Sequence, residues 1–371
     1  IQYASGYIAI SEHTAHDLAR CFTDISIESI TVAHCGVSST FSPGKSEEVN
    51  AFKLKYGITK PYFILVGGGS GYKNSTLFFQ GFSRLSNSYG FDIVCTGSGG
   101  LLAPEFRAYT SGSIVHMLQL SDEELAIAYS GAVALIYPSK YEGFGMPIIE
   151  AMACGCPVIT CPNASIPEVA GEAAIYVDDS NVDELANALC DVQKPSIRRS
   201  LITAGLAQAG KFSWSNMAQT VSSALIDASL LYLKLKEINL IIFPDWSQPE
   251  DLLYQDLASA ISTLTTHPDK SHITLLIDTQ NIPEEEADML LSSLTMNLLM
   301  EDDVDITQGP EISLLGQIND TQWKTLLPRI KTRIALATDN QSAIAQAKAE
   351  TLPSSNVDSL IASKLEIMPA F

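Results

Sequence analysis

The chain has 371 residues, of which 46 % are hydrophobic and 17 % charged; that composition fills packed cores, excludes a disordered chain, and at this length predicts two domains. Twenty-two basic residues against 42 acidic ones leave a formal charge of −20, which excludes nucleic acid or an anionic membrane surface as a partner of the whole molecule. Any anionic ligand must therefore be held by local groups. No apolar run approaches the roughly 20 residues of a membrane span, and no basic-then-apolar signal segment opens the chain, so a soluble protein without a transmembrane segment is expected.

In chain order, short apolar runs alternate with amphipathic stretches, the pattern of a parallel sheet covered by helices. Strands are expected at Tyr7–Ile10, Ser29–Ala33, Tyr62–Val66, Phe91–Thr96, Ile114–Leu118, Ala134–Tyr137, Pro157–Thr160 and Ala174–Val177. Helices are expected at Thr14–Cys21, Ser75–Leu85, Asp122–Tyr129, Pro147–Ala153 and Val182–Val192, then from Ser196 to Leu235 with a break near Phe212–Trp214. A hinge at Glu237–Asn239 leads to a second alternation: strand Leu240–Phe243, helix Glu250–Thr265, strand Ile273–Ile277, helix Pro283–Met300, strands near Val304–Thr307 and Ile312–Leu315, and strand Arg333–Ala337. The tail beyond Glu350, with Pro353, Ser354 and Ser355, reads as loose, and there is no internal repeat. In open sheets of this kind ligands bind beyond the carboxyl ends of the strands, which directs attention to the loops after Val66, Thr96 and Tyr137.

Seven cysteines, odd in number and mostly inside apolar runs, read as reduced thiols in a cytoplasmic setting. Cys154, Cys156 and Cys161 have neither a fourth cysteine nor a nearby histidine to complete a metal site, so none is expected.

The most informative stretch runs Pro138-Ser-Lys-Tyr-Glu142-Gly143-Phe144-Gly145-Met146-Pro147-Ile-Ile-Glu150. Pro147 suits the first turn of a helix, where its missing N–H is not needed. The two glycines then allow close approach of a ligand, and the free first-turn amides point the positive end of the helix dipole at it, as a phosphate requires. Glu142 before the amides and Glu150 inside the helix flank that anion site, and carboxylates there suit hydroxyl groups. Lys73 follows the run Gly67-Gly68-Gly69-Ser70-Gly71 at the same end of the sheet. That run lacks the third glycine of the dinucleotide fingerprint, which sets aside a nicotinamide oxidoreductase.

This segment resembles the signature of the retaining GT-B glycosyltransferases of family 4, in which two glutamates stand seven residues apart, the first in a Glu-Gly-Phe-Gly loop. The similarity extends through Ile8-Ala-Ile-Ser-Glu12, Gly36-Val37, Phe41-Ser-Pro43, Val66-Gly67, Lys73-Asn74, Ser121–Leu125, Ile166–Gly171 and Phe212-Ser-Trp214, about residues 5 to 230. The resemblance implies an α/β fold, the Rossmann-like donor half of a GT-B enzyme; the second alternation reads as a second, smaller α/β domain joined to it. Residues 1–43 would then be the end of an acceptor half, 44–236 the nucleotide-sugar domain, 237–350 a small α/β domain, and 351–371 a tail. It implies that Glu142 contacts hydroxyls of the transferred sugar and Lys73 neutralises the diphosphate. The amides of Gly143, Phe144 and Gly145, with Gly67, Gly68 and Met146, line the donor site, and Glu150 accepts from the ribose. It implies a nucleotide sugar and a glycan or other hydroxyl acceptor as substrates, retention of configuration, no metal or other cofactor, and an N-terminal acceptor domain missing from this chain. One departure stands out: many members carry an arginine where this chain has Gly68, leaving Lys73, the helix amides and Lys140 to balance the diphosphate. A catalytically silent sugar-nucleotide-binding or scaffold module remains the alternative. His34, His116 and Trp246 read as packing residues, and Glu168 as a brace of its turn.

Overall fold

Tyr62–Val66, Asp92–Thr96 and Leu135–Tyr137 run almost without interruption through apolar side chains, and because successive side chains on a strand face opposite ways, such runs need cover on both faces of a sheet. The computed structural model, which describes residues 4–67, 71–97, 100–110, 112–301 and 304–361, supplies that cover. The chain divides into two units, Ile1–Ser222 and Ser223–Phe371. The division falls inside a helix, Trp214–Ser229, and Glu237 lies beyond it in the second unit.

The first unit opens with β1 (Tyr7–Ala9), α1 (Glu12–Cys21) and β2 (Ile30–Val32), a small parallel pair with its own core of Ala9, Ala15, Ile25 and Ile30. Next come α2 (Ser46–Tyr56), β3 (Tyr62–Val66), α3 (Ser75–Ser83), β4 (Asp92–Thr96), α4 (Pro104–Arg107), β5 (Val115–Leu118) and α5 (Asp122–Gly131). Then follow β6 (Leu135–Tyr137), α6 (Met146–Ala153), β7 (Val158–Thr160), α7 (Ile166–Ala170), β8 (Ala174–Tyr176), α8 (Val182–Asp191), α9 (Pro195–Ala209) and α10 (Trp214–Ser229). Six of these strands form one parallel sheet in the order β5-β4-β3-β6-β7-β8. The winding therefore reverses between β3 and β6, the point where open α/β sheets hold ligands. Phe63, Leu65, Ile93, Cys95 and Ile136 face α3 and α8, while Tyr62, Ile64, Val94, Leu135 and Tyr137 face α5 and α6. α2 escaped the sequence reading because it buries only Phe52 and so shows no apolar face.

The second unit contains β9 (Ile238–Ile242), α11 (Glu250–Thr266), β10 (Ile273–Ile277), α12 (Glu284–Glu301), β11 (Glu311–Leu314), α13 (Asp320–Leu326), β12 (Thr332–Ala335), α14 (Gln341–Ala347), β13 (Ser354–Asn356) and α15 (Val357–Ile361). Its five strands are parallel in the order β11-β10-β9-β12-β13, again with a reversal, here between β9 and β12. That crevice is closed by main chain: Asp245 N donates to Thr338 O at 2.9 Å and Asn340 N to Phe243 O at 2.8 Å. Trp246 packs half-buried on the core and donates from Nε1 to the carbonyl of Asp278 at 2.8 Å.

Two expectations are corrected. The segment near Val304–Thr307 is no strand: Asp305 accepts from the amide of Thr307 at 2.9 Å and starts a short 3-10 turn, Ile306–Gln308. Residues 351–361 are not loose, since β13 adds to the sheet edge and α15 follows; the rest of the expected tail, 362–371, lies outside the described residues. Ser354 and Asn356 are exposed, so the strand carries no apolar signal. The seven cysteines are all free, and Cys35, Cys95, Cys154, Cys156 and Cys161 are buried. Among the described residues no cluster fit to hold a metal is present, and no helix is long and apolar enough to cross a membrane.

Gly36 is a point of close approach: a Cβ there would lie 2.0 Å from the main-chain nitrogen of Trp214. Gly36→Ala must push two backbone segments apart and is expected to destabilise the first unit by about 1–3 kcal/mol, read as a lower Tm in thermal melts; an unchanged Tm would refute this packing.

Candidate functional site

Both strands that border the reversal in the first sheet end in loops that carry candidate residues. After β3 the chain turns through Gly67, whose φ of 70° suits glycine, and a Cβ there would stand 3.4 Å from Cε of Lys73. Asn74, at φ 54°, caps α3 and ties the loop down by donating from Nδ2 to Asp179 O at 2.8 Å. Lys73 is thereby aimed at the loop after β6. Its Nζ donates to Tyr137 Oη and to Glu142 Oε1, each at 2.7 Å, and lies 4.7 Å over the Tyr137 ring.

The loop Glu142–Gly145 owes its form to hydroxyl groups. The buried Ser165 Oγ lies 2.8 Å from the carbonyl oxygen of Glu142 and 3.1 Å from that of Phe144. Ser11 Oγ donates to Gly143 O at 2.7 Å and Thr14 Oγ1 to the same oxygen at 3.1 Å, while Gly145 O accepts from Ile148 N at 2.9 Å. In a planar trans peptide the carbonyl and the N–H that follows it point opposite ways. Holding the carbonyls of 142, 143 and 144 therefore turns the amides of Gly143, Phe144 and Gly145 away from those hydroxyls, and none of these amides donates a hydrogen bond among the described residues. Gly145 caps α6 at φ 103°, where a Cβ would be strained and would meet Ile148 Cδ1 at 3.3 Å. Ala164, just before Ser165, has φ 52°, a conformation that costs a residue with a Cβ roughly 1–2 kcal/mol; it sits where the chain must present the serine.

Other candidates fall into distinct places. Glu150, on α6, is largely buried; burial first, then the charge of Asp122, raises its carboxyl to about 7, against a 3.5 Å hydrogen bond from Tyr129. The Phe144 ring is core, 5.6 Å from the Phe212 ring and 6.0 Å from that of His34, so the ring packs into the protein and is not offered to a ligand. Glu168 accepts from the amide of Glu12 at 2.8 Å, capping α1, and pairs with His34. Met146 opens α6, half-buried on the core. Gly68 lies outside the described residues. The structure thus brings Gly67, Lys73, Glu142 and the Gly143–Gly145 amides together, and joins Glu150 to Tyr129 of α5. Sequence reasoning missed Tyr137, Ser11, Thr14 and Ser165. Ser165 stands 23 residues from Glu142 and Ser11 stands 132 from Gly143, so no local spacing betrays the contacts.

Comparison with known proteins agrees with this fold. A family model described as glycosyl transferases group 1 matches residues 60–194. An O-antigen chain mannosyltransferase B of Escherichia coli is 30 % identical over 226 residues, 58 % of this chain and 59 % of the relative. An MMP alpha-(1->4)-mannosyltransferase of Mycolicibacterium hassiacum is 41 % identical over 116 residues, 29 % of this chain and 28 % of that one. The chain thus spans about three fifths, or less, of the relatives it matches. Among solved structures, an Anabaena protein crystallised with UDP and glucose superposes with a TM-score of 0.54 at 16 % identity, over 61 % of this chain and 64 % of that one. A sucrose-phosphate synthase of Thermosynechococcus elongatus does so with 0.51 at 23 %, over 60 % and 58 %. The parallel sheet with helices on both faces is the fold these share, that of the GT-B glycosyltransferases. Over its residues 60–194, and in the fold built around them, the chain is thus similar to the group 1 glycosyltransferases.

Proposed function

We propose that this site holds a nucleotide sugar as the donor of a retaining glycosyltransferase. The observation that carries the reading is the set of three adjacent amides, left without acceptors because their carbonyls are clamped, at the winding reversal and beside Lys73. A donor has an anionic diphosphate between two hydroxyl-bearing parts, and the site has N–H donors flanked by two carboxylates. The amides and Lys73 take the diphosphate, Glu142 takes hydroxyls of the transferred hexose, and Glu150 accepts from the ribose. The acceptor hydroxyl attacks the anomeric carbon on the face from which the diphosphate leaves. The bond to the acceptor oxygen forms as the bond to the diphosphate breaks, and a phosphate oxygen takes the hydroxyl proton. This route calls for neither an enzyme nucleophile nor a metal. Matches named as O-antigen chain mannosyltransferases make a polysaccharide or glycoconjugate the product we favour. We infer that acceptor recognition comes from a part of the enzyme outside the matched region.

Calorimetry with UDP, GDP and ADP and with the matching glucose and mannose nucleotides tests the reading: heat of binding with one of them is expected, and no heat with any would overturn it.

Gly145→Ala is expected to weaken that nucleotide by about 1–2 kcal/mol, because the positive φ that aims the loop amides is strained for alanine. Equal affinity in titrations of the two proteins would remove the loop from the site.

Glu150 supplies a pH dependence. Its folded value, about 7, lies above the ordinary 4.5, so its contribution to stability is complete below pH 4.5 and is lost as pH rises through about 7. Glu150→Gln should accordingly melt higher than the unaltered chain at pH 8 and no higher at pH 4. Accepting ribose hydroxyls favours the ionised carboxylate, so the variant should bind the nucleotide about 1–3 kcal/mol more weakly at pH 8, with a smaller difference at pH 6. Parallel affinity profiles for the two proteins would place the ribose elsewhere.

A further inference from the structure

We infer that the Lys73–Glu142 pair makes this site discriminate against a bare nucleoside diphosphate in favour of the nucleotide sugar, an inference that rests on the donor-site reading above. In the free chain the ammonium of Lys73 already has an anion: Glu142 Oε1 at 2.7 Å, with Tyr137 Oη at the same distance. Two of its three N–H bonds are committed. The pair is withdrawn from water, with side chains 20 % and 12 % exposed, so solvent screens it less than a surface pair. Glu142 directly precedes the loop amides in the chain, so an anion seated on those amides lies near its carboxylate.

A bare diphosphate presents a terminal phosphate that carries more negative charge than the same phosphate esterified to a sugar. If Lys73 turns to that phosphate, Glu142 is left without its counter-charge in a poorly hydrated place; if Lys73 stays, the phosphate faces a carboxylate. The sugar relieves both problems. It removes one negative charge from the phosphate and brings hydroxyls that donate to the Glu142 oxygens, a charge-assisted bond that needs no share of Lys73. The same contrast acts after transfer, when the departing diphosphate has regained its charge and Glu142 has lost the hydroxyls. Product release is thereby built into the ion pair that the free site shows.

Calorimetry decides, using whichever of UDP, GDP and ADP the unaltered chain binds, together with the matching glucose and mannose nucleotides. Glu142→Gln should bind the bare diphosphate about tenfold tighter than the unaltered chain, the scale of one pKa unit of charge interaction, and the sugar nucleotide no tighter. Lys73→Met should bind both more weakly. Should Glu142→Gln melt earlier than the unaltered chain, Glu142→Ala serves in its place, since it removes the same charge. Diphosphate affinity that is unchanged or lower in a normally melting Glu142 variant overturns the inference and leaves the donor site standing. If the unaltered chain binds neither diphosphates nor sugar nucleotides, the donor site itself is wrong, and the inference falls with it.

Discussion

The planarity of the peptide bond is the constraint on which the site depends. A loop cannot aim its N–H groups directly, because nothing on the protein pulls a donor toward an empty space. It can fix the carbonyl on the other edge of each peptide plane, and Ser11, Thr14 and Ser165 do so for three consecutive planes. Two of these hydroxyls come from the cap and first turn of α1 and the third from the turn before α7, so the loop is held from two sides by elements distant in sequence. Glu168 extends the same construction, since it caps α1 and keeps Ser11 in place. The amides are thus oriented donors that would need no reorganisation to meet an anion, the condition under which such groups contribute most.

Electrostatics work against this site everywhere except locally. The chain carries a formal charge of −20, and an anionic ligand approaches through an unfavourable field. Main-chain amides are a suitable answer because they are donors without net charge. Lys73 adds a single positive charge, and aromatic rings of Tyr72 and Tyr137 face it at 5.1 and 4.7 Å, holding the ammonium without adding a competing anion. Among the described residues Glu142 is the one anion it meets.

The sequence was most legible where burial is two-sided. β3, β4 and β6 read as strands because nearly every residue in them is apolar, and the helices α3, α6 and α8 that cover them read from their apolar faces. It was least legible where structure depends on hydrogen bonds or exposed edges: α2 with its single buried Phe52, β13 with two exposed residues, and the capped turn at Asp305. The same division runs through the site. Glycines, Pro147 and the two glutamates could be read from local spacing, since their roles follow from the start of one helix. The hydroxyl clamp could not, because serine and threonine serve as helix caps and turn residues throughout the chain, and only the fold brings these three to one loop. Nor did spacing show that Lys73 would meet Glu142, since the two lie on loops after different strands.

The distribution of thiols has a practical consequence. Burial raises Cys95, Cys154, Cys156 and Cys161 to about 12, whereas Cys21 and Cys190 are exposed. These four thiols, like the buried Cys35, belong to the cores on the two faces of the six-stranded sheet, and reagents that attack thiolates reach them only when that sheet opens. The chain thus contains its own clock for sheet opening: the rate at which the slow thiols become reactive measures how often the layers around the loops at the winding reversal part, without any label being introduced.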